Sequence, residues 1–129
     1  MKIHSELDFY ERVTIRNLLH HTSGIPDYMR MVMKYRKGEE LFTISEMINL
    51  YKKERPKLNF KPSEKFEYSN TGYVLLSEIV ARVSNQTFSE FMWENIFSVL
   101  GMKDTQVFNL ISEGAPSNRV YVFLANATP

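Results

Sequence analysis

The sequence predicts a mainly α fold, with short strands or loops near its C-terminus. Three observations carry that prediction. Thr14, Thr43 and Thr87 each stand at a capping position ahead of apolar residues spaced three and four apart. The same spacing recurs over its longest stretch from Thr71 onward. Past Gly101 the helical period gives way to Val107 and the run Arg119-Val120-Tyr121-Val122-Phe123, interrupted by Pro116.

Taken in order, Thr14 caps a short helix carrying Ile15, Leu18 and Leu19 and ending near His20. Thr22-Ser23-Gly24-Ile25-Pro26-Asp27 is a loop, punctuated by glycine and proline. Tyr28 to Lys37, with Met29, Met31, Val32 and Met33, is a ragged helix that Gly38 ends. Thr43-Ile44-Ser45-Glu46 is a capping box, in which hydroxyl and carboxylate satisfy each other's orphan backbone donors. Behind it Ile44, Met47, Ile48 and Tyr51 form an apolar stripe, closed by Pro56. Lys57 to Tyr68 is extended or looped, with Pro62-Ser63 as its turn. Tyr73, Leu76, Ile79, Val80 and Val83 mark the strongest helix, which Asn85 stops. Thr87-Phe88-Ser89-Glu90 is a second capping box, and its helix runs to Gly101 through Phe88, Phe91, Met92, Asn95, Ile96 and Val99. The last residues, Ala125 to Pro129, carry no cap and no charge, and read as a cut more than a natural terminus.

The 129 residues suit one domain, with 43% hydrophobic and 24% charged residues. Sixteen Lys and Arg against fifteen Asp and Glu leave a net charge of +1, which gives no footing for nucleic acid or an anionic membrane as partner. With no cysteine, a disulfide framework, a thiolate metal site and a cysteine nucleophile are excluded. The N-terminal residues contain no apolar run of signal-peptide type, and no apolar stretch is long enough to span a bilayer.

Tyr68-Ser69-Asn70 precedes the strongest helix, a place where backbone donors and polar side chains face a cleft. A tyrosine serves as a base where cations lower its pKa, and an asparagine holds an amide by donating and accepting together. The plainer alternative is that Asn70 or Thr71 caps the helix while Tyr68 packs. His20 and His21 are neighbours about 100° apart on a helix, so they do not chelate one ion from one face. A histidine holding the following loop by hydrogen bonds is the better reading. His4 is a lone exposed histidine, and the Met29-Met31-Met33 and Phe88-Phe91-Met92 groups are core or groove lining. Lys52-Lys53-Glu54-Arg55 is a solvated helix end, where cations offset the dipole. Asn85-Gln86-Thr87 and Asn126-Ala127-Thr128 match a glycosylation pattern that is common by chance.

Two blocks in order carry a resemblance. Val13 to Tyr28, including Leu18-Leu19-His20-His21-Thr22-Ser23-Gly24-Ile25-Pro26-Asp27, is one. Phe66-Glu67-Tyr68-Ser69-Asn70-Thr71-Gly72-Tyr73, continuing to Leu100-Gly101-Met102-Lys103-Asp104-Thr105, is the other. Together they resemble the serine β-lactamase-like and penicillin-binding-protein family, in its group of class C β-lactamases, D,D-peptidases and esterases. The likeness is strongest over residues 13–108, and Ser117-Asn118-Arg119 fits the family's next stretch.

The resemblance implies that residues 1–129 are one incomplete domain, the helical part of an α+β β-lactamase/transpeptidase-like domain. The family acylates a serine in Ser-x-x-Lys, completing its site with Tyr-x-Asn and a Lys-Thr-Gly or His-x-Gly strand. Tyr68 matches the proton-relaying tyrosine, Asn70 the asparagine that binds the substrate's side-chain amide, and Ser69 the variable position between them. His21-Thr22-Ser23-Gly24 matches a structural loop behind the site. The substrates implied are β-lactams, D-Ala peptides or esters; no metal or other cofactor is implied. The complete protein is expected to be exported, periplasmic or at the cell surface. Exposed apolar faces are expected to favour an oligomer or swapped dimer. The competing reading is a non-catalytic helical binding or scaffold module that retains the family sequence.

This sequence contains neither Ser-x-x-Lys nor Lys-Thr-Gly nor His-x-Gly. Smaller departures are Ser63 after Pro62, Ser77, and Asn85, at positions where the family commonly has glycine. Without the two missing motifs, Tyr68 lacks the ammonium groups that favour a phenolate, and no serine has a base. The purified chain is therefore expected to leave nitrocefin intact in a spectrophotometric assay, and rapid hydrolysis would refute this.

Overall fold

A computed structural model describes residues 7–10, 12–35 and 43–108. About half of these are helical, and none of them is in a strand. The helices are α1 (Ile15–Leu19), α2 (Tyr28–Tyr35), α3 (Ile44–Glu54), α4 (Asn70–Ser84) and α5 (Phe88–Met92). His4, the end of the second helix at Gly38 and the run Arg119 to Phe123 lie outside the described residues, while Val107 is in irregular chain. The chain divides into two compact units, Met1–Phe88 and Ser89–Pro129.

In the first unit α4 packs against α1 and α2. The core gathers Leu7, Tyr10, Leu18, Ile25, Met47, Ile48, Tyr51, Leu75 and Ile79. The box expected at Thr43 forms with Glu46, and Thr14, expected as a cap, forms a full box with Asn17. Receiving the Thr43 N–H and hydroxyl holds the Glu46 carboxyl below the usual carboxylate range. At the other end of α3, Arg55 takes a left-handed turn before Pro56, and Lys52 and Lys53 are exposed. Asn85 is also left-handed, and its N–H and that of Gln86 both reach the Ala81 carbonyl.

The inward faces differ in part from the apolar stripes. On α4 the buried positions are Thr71, Gly72, Leu75 and Ile79, while Tyr73 and Val83 are exposed. The reason is close helix approach: a Cβ on Gly72 would stand 3.2 Å from the Leu18 carbonyl oxygen, so the small residues face α1. On α3 the stripe holds except for exposed Ile44. On α2 Val32 is buried and Met31 is half-buried against the core, but Met29 and Met33 face solvent.

Segment 59–67 runs beside the loop after α1. The N–H groups of Asn59, Ser63 and Glu67 donate to the carbonyls of Gly24, Thr22 and His21, at 2.8, 2.8 and 2.9 Å. Buried Asn17 ties both to α1: its Oδ1 accepts the Thr14 N–H and hydroxyl, and its Nδ2 donates to Thr22 Oγ1 and Ser63 Oγ. Ser63 has a φ of 71°, a left-handed value that favours glycine, and the 2.8 Å bond from Asn17 offsets some of that strain. Gly24, at φ +74°, is required twice over, since an added Cβ would collide with the Phe60 carbonyl oxygen.

In the second unit α5 passes into a π-helical turn at Trp93–Phe97, a widening that the period-3.6 reading does not foresee. The Ser98 N–H reaches the Trp93 carbonyl at 2.9 Å. Gly101, at φ +68°, closes the segment as expected. Its N–H donates to the Ser98 carbonyl and that of Met102 to the Phe97 carbonyl, the Schellman pattern. No helix of the described residues is long and apolar enough to cross a membrane.

Gly24→Ala is expected to cost about 2–4 kcal/mol, since backbone strain and a main-chain clash add. Gly101→Ala, with a positive φ but nothing within 4 Å of the new Cβ, is expected to cost only about 1 kcal/mol. Urea midpoints of the two variants check the contrast, and equal losses would refute it.

Candidate active site

The Tyr68-Ser69-Asn70 segment enters α4 extended, with Ser69 at φ −144° and ψ 122°. In extended chain alternate side chains take opposite sides. Ser69 turns inward and is buried, its hydroxyl on the Ile25 carbonyl at 3.4 Å. Tyr68 and Asn70 share the other side, and the Tyr68 hydroxyl donates to Asn70 Oδ1 at 3.3 Å. Tyr68 is 64% exposed.

The helix-cap alternative fails on this geometry. Ser69 holds the N-cap position without a side-chain capping bond. Asn70 is the first helical residue; its backbone N–H and Nδ2 both donate to Asp27 Oδ2, at 2.7 and 3.0 Å. Thr71 is wholly buried and points away from the α4 backbone, donating to the Pro26 carbonyl at 2.9 Å and accepting the Tyr28 N–H at 2.7 Å. Nor does Tyr68 pack into the core.

The His21 side chain reaches the segment before α4 and not the loop that follows His21. Its Nδ1 accepts the Ser69 N–H at 3.3 Å, which places the ring proton on Nε2. The ring lies between Tyr68, at 4.6 Å, and Tyr73, at 5.1 Å and 26°, with Phe66 edge-on at 5.7 Å. The Tyr68 ring thus leans on His21 at a tilt of 35°. His20 is exposed at the C-cap of α1. Among the described residues no group of three or more His, Asp or Glu is placed to hold a metal ion.

Behind these exposed groups lies a buried polar knot. The Tyr51 hydroxyl donates to the Pro26 carbonyl at 2.5 Å and lies 3.2 Å from Thr71 Oγ1. Neither Tyr51 nor Thr71 has any exposed surface. Burial pushes the Tyr51 phenol up to about 12; the Thr71 hydroxyl opposes that rise and the Asp27 charge adds to it. Tyr10, whose hydroxyl donates to the Pro56 carbonyl at 2.6 Å, is also raised, by burial first and then by Tyr51.

Sequence reasoning does not single out Asp27, Thr71 or Tyr51 as partners of the site. Asp27 carries one available signal, since an aspartate just before a helix is a strong N-cap, and its Oδ1 indeed accepts the Met29 N–H at 2.8 Å. Its second role, at α4, is 43 residues away in sequence and leaves no local trace.

The chain is similar to known proteins of one family. The family described as Beta-lactamase matches residues 7–125. A penicillin-binding protein of Bacillus subtilis (strain 168) is 38% identical over 100 residues, covering 78% of this chain and 22% of the relative. The crystal structure of a penicillin binding protein from Bacillus halodurans superposes with a TM-score of 0.67 at 32% identity, over 84% of this chain and 33% of that one. A D-amino acid amidase from Ochrobactrum anthropi SV3, complexed with L-phenylalanine amide, superposes at 0.58 and 33% identity, over 72% and 26%. The chain therefore spans about a fifth to a quarter of the length of the curated relatives it matches.

The knot sets an alkaline limit on stability. Folding holds the Tyr51 proton more tightly than the unfolded chain does, so its contribution is complete below about pH 10 and is lost as pH rises toward about 12. Urea unfolding midpoints are expected to fall across that window, and to fall less in Tyr51→Phe. Thr71→Val, which strands the Tyr28 N–H, is expected to cost about 1–3 kcal/mol by the same assay. A neutral outcome for Thr71→Val would mean that the knot does not hold the two helices.

Proposed function

The chain belongs to the beta-lactamase family of serine β-lactamases and penicillin-binding proteins, and on that premise we propose that it is the helical middle part of a serine hydrolase. The reaction proposed is acyl transfer: a serine outside this sequence attacks a strained or activated amide or ester carbonyl, and water then releases the acyl group. The observation that carries the proposal is the pairing of Tyr68 and Asn70 on one exposed side of the entry to α4, on a base of buried bonds.

In this reading Tyr68 relays the proton between the nucleophile and the leaving group. Its hydroxyl reaches open space, and its ring rests on His21, so the oxygen is held in place without being buried. A cation from the remainder of the protein would favour the phenolate. Asn70 binds the amide of the substrate's side chain. The substrate class is a β-lactam, a D-alanyl peptide or an ester; the similarity to a D-amino acid amidase supports an acyl donor built on a D-amino acid. Residues 1–129 are then one incomplete domain, whose other wall comes from the missing motifs, in a protein that works outside the cytoplasm. Self-association through the exposed apolar residues of the isolated chain, such as Val99 and Leu100, belongs to the same reading.

The test is made on the complete protein that contains this segment. A fluorescent penicillin is expected to label it covalently, and Tyr68→Phe to slow acylation by about 100-fold or more, as loss of a general acid–base group does. Asn70→Ala is expected to raise KM for amide-bearing substrates. A complete protein that takes no label and hydrolyses no ester would leave a binding module as the reading.

A further inference from the structure

The orientation of the Asn70 side chain is not free. We infer that Asp27 is a positioning residue that fixes which end of the Asn70 amide meets the substrate, and so sets the preference for substrates with a side-chain amide. This rests on the proposed role of Asn70.

The argument is one of donors and acceptors. A carboxylate has no proton to give, so only hydrogen-bond donors are satisfied against it, and in an asparagine side chain the donor is the amide nitrogen. Asp27 Oδ1 receives the Met29 N–H, at the start of α2, while Oδ2 receives the Asn70 N–H and Nδ2, at the start of α4. The amide nitrogen of Asn70 must therefore face Asp27, and its oxygen must face away, where the Tyr68 hydroxyl finds it at 3.3 Å. One Nδ2 proton and one Oδ1 lone pair then remain for a ligand. Those are the complements of the carbonyl and N–H of a secondary amide. A reversed side chain would set a donor against the Tyr68 hydroxyl and exchange the two ends.

Asp27 itself is held on both sides by backbone donors, so it does not swing with Asn70. In Asp27→Asn, one side of the group becomes a donor. The N-cap bond to Met29 retains the oxygen. The new NH2 then faces Asn70 and opposes both of its donors, so the side-chain amide turns its own oxygen inward while the Asn70 backbone N–H loses its partner.

The experiment uses the complete protein and compares kcat/KM for an acylated D-Ala-D-Ala peptide with that for p-nitrophenyl acetate, which has no side-chain amide. Asp27→Asn is expected to lower the peptide-to-ester ratio about tenfold, the equivalent of one well-placed hydrogen bond, chiefly through KM. Asp27→Ser, which can cap α2 but falls short of the Asn70 amide, is expected to act in the same direction and serves if the asparagine variant folds poorly. In an Asn70→Ala background Asp27→Asn is expected to change the ratio by less than about twofold, because nothing remains to be oriented. A general structural defect would instead lower both reactions together. A wild-type protein active on both substrates, with the ratio unmoved by Asp27→Asn, overturns the inference alone. The full effect persisting without Asn70 also overturns it. A wild-type protein active on neither overturns the functional reading and the inference with it.

Discussion

Two helices begin at one point in this protein, and the structure depends on how their starts are satisfied. A helix N-terminus leaves backbone N–H groups without partners and carries a partial positive charge. Bringing the starts of α2 and α4 together doubles both problems. Asp27 meets them with a single carboxylate, which accepts from Met29 on one side and Asn70 on the other. Thr71 closes the gap from α4, receiving the Tyr28 N–H and donating to the Pro26 carbonyl. Tyr51 adds a third helix through the same carbonyl. Because Tyr51 and Thr71 are sealed from solvent, water cannot stand in for a lost partner, and the knot is held whole or lost as a unit.

The exposed site inherits its order from that buried one. Tyr68 is exposed and Asn70 half-buried, in a setting where side chains ordinarily sample several rotamers. Here Asn70 is bonded at its backbone and at its amide, and Tyr68 rests on an imidazole that is itself held by Ser69. The intervening serine faces the interior because an extended chain alternates. A Tyr-x-Asn spacing thus has a simple mechanical meaning: two residues apart is the shortest separation that puts two side chains on the same side of an extended strand.

The loop after α1 solves a related problem with glycine and with compensation. Gly24 passes so near the Phe60 carbonyl that no side chain fits. His21 and Ser63 are also left-handed but are not glycine. Each makes side-chain bonds that local strain would otherwise oppose: His21 to the Ser69 N–H and Ser63 to Asn17. The departure at Ser63 from the glycine common in the family is therefore accompanied by a specific partner in this chain.

Local chemistry is legible in the sequence because its causes are local. The capping boxes at Thr14 and Thr43, the turns at Asn85 and Gly101, and the helices they bound depend on residues within one or two turns of each other. Family membership is legible because Tyr68-Ser69-Asn70 and the His21-Thr22-Ser23-Gly24 loop stand in order. Tertiary structure alone decides which side of each element faces inward and what each polar group meets. Tyr73 and Val83 share a helical stripe with Ile79 yet are exposed, because α1 approaches α4 at Gly72. Thr71, in sequence no more than a candidate cap, is the centre of a buried knot because Pro26 and Tyr51 arrive from elsewhere in the chain. Asp27 has the local signature of a cap for one helix and serves two. Periodicity specifies a residue's place on its own helix, but its partners are set by the approach of segments twenty to more than forty residues apart, for which a single sequence carries no signal.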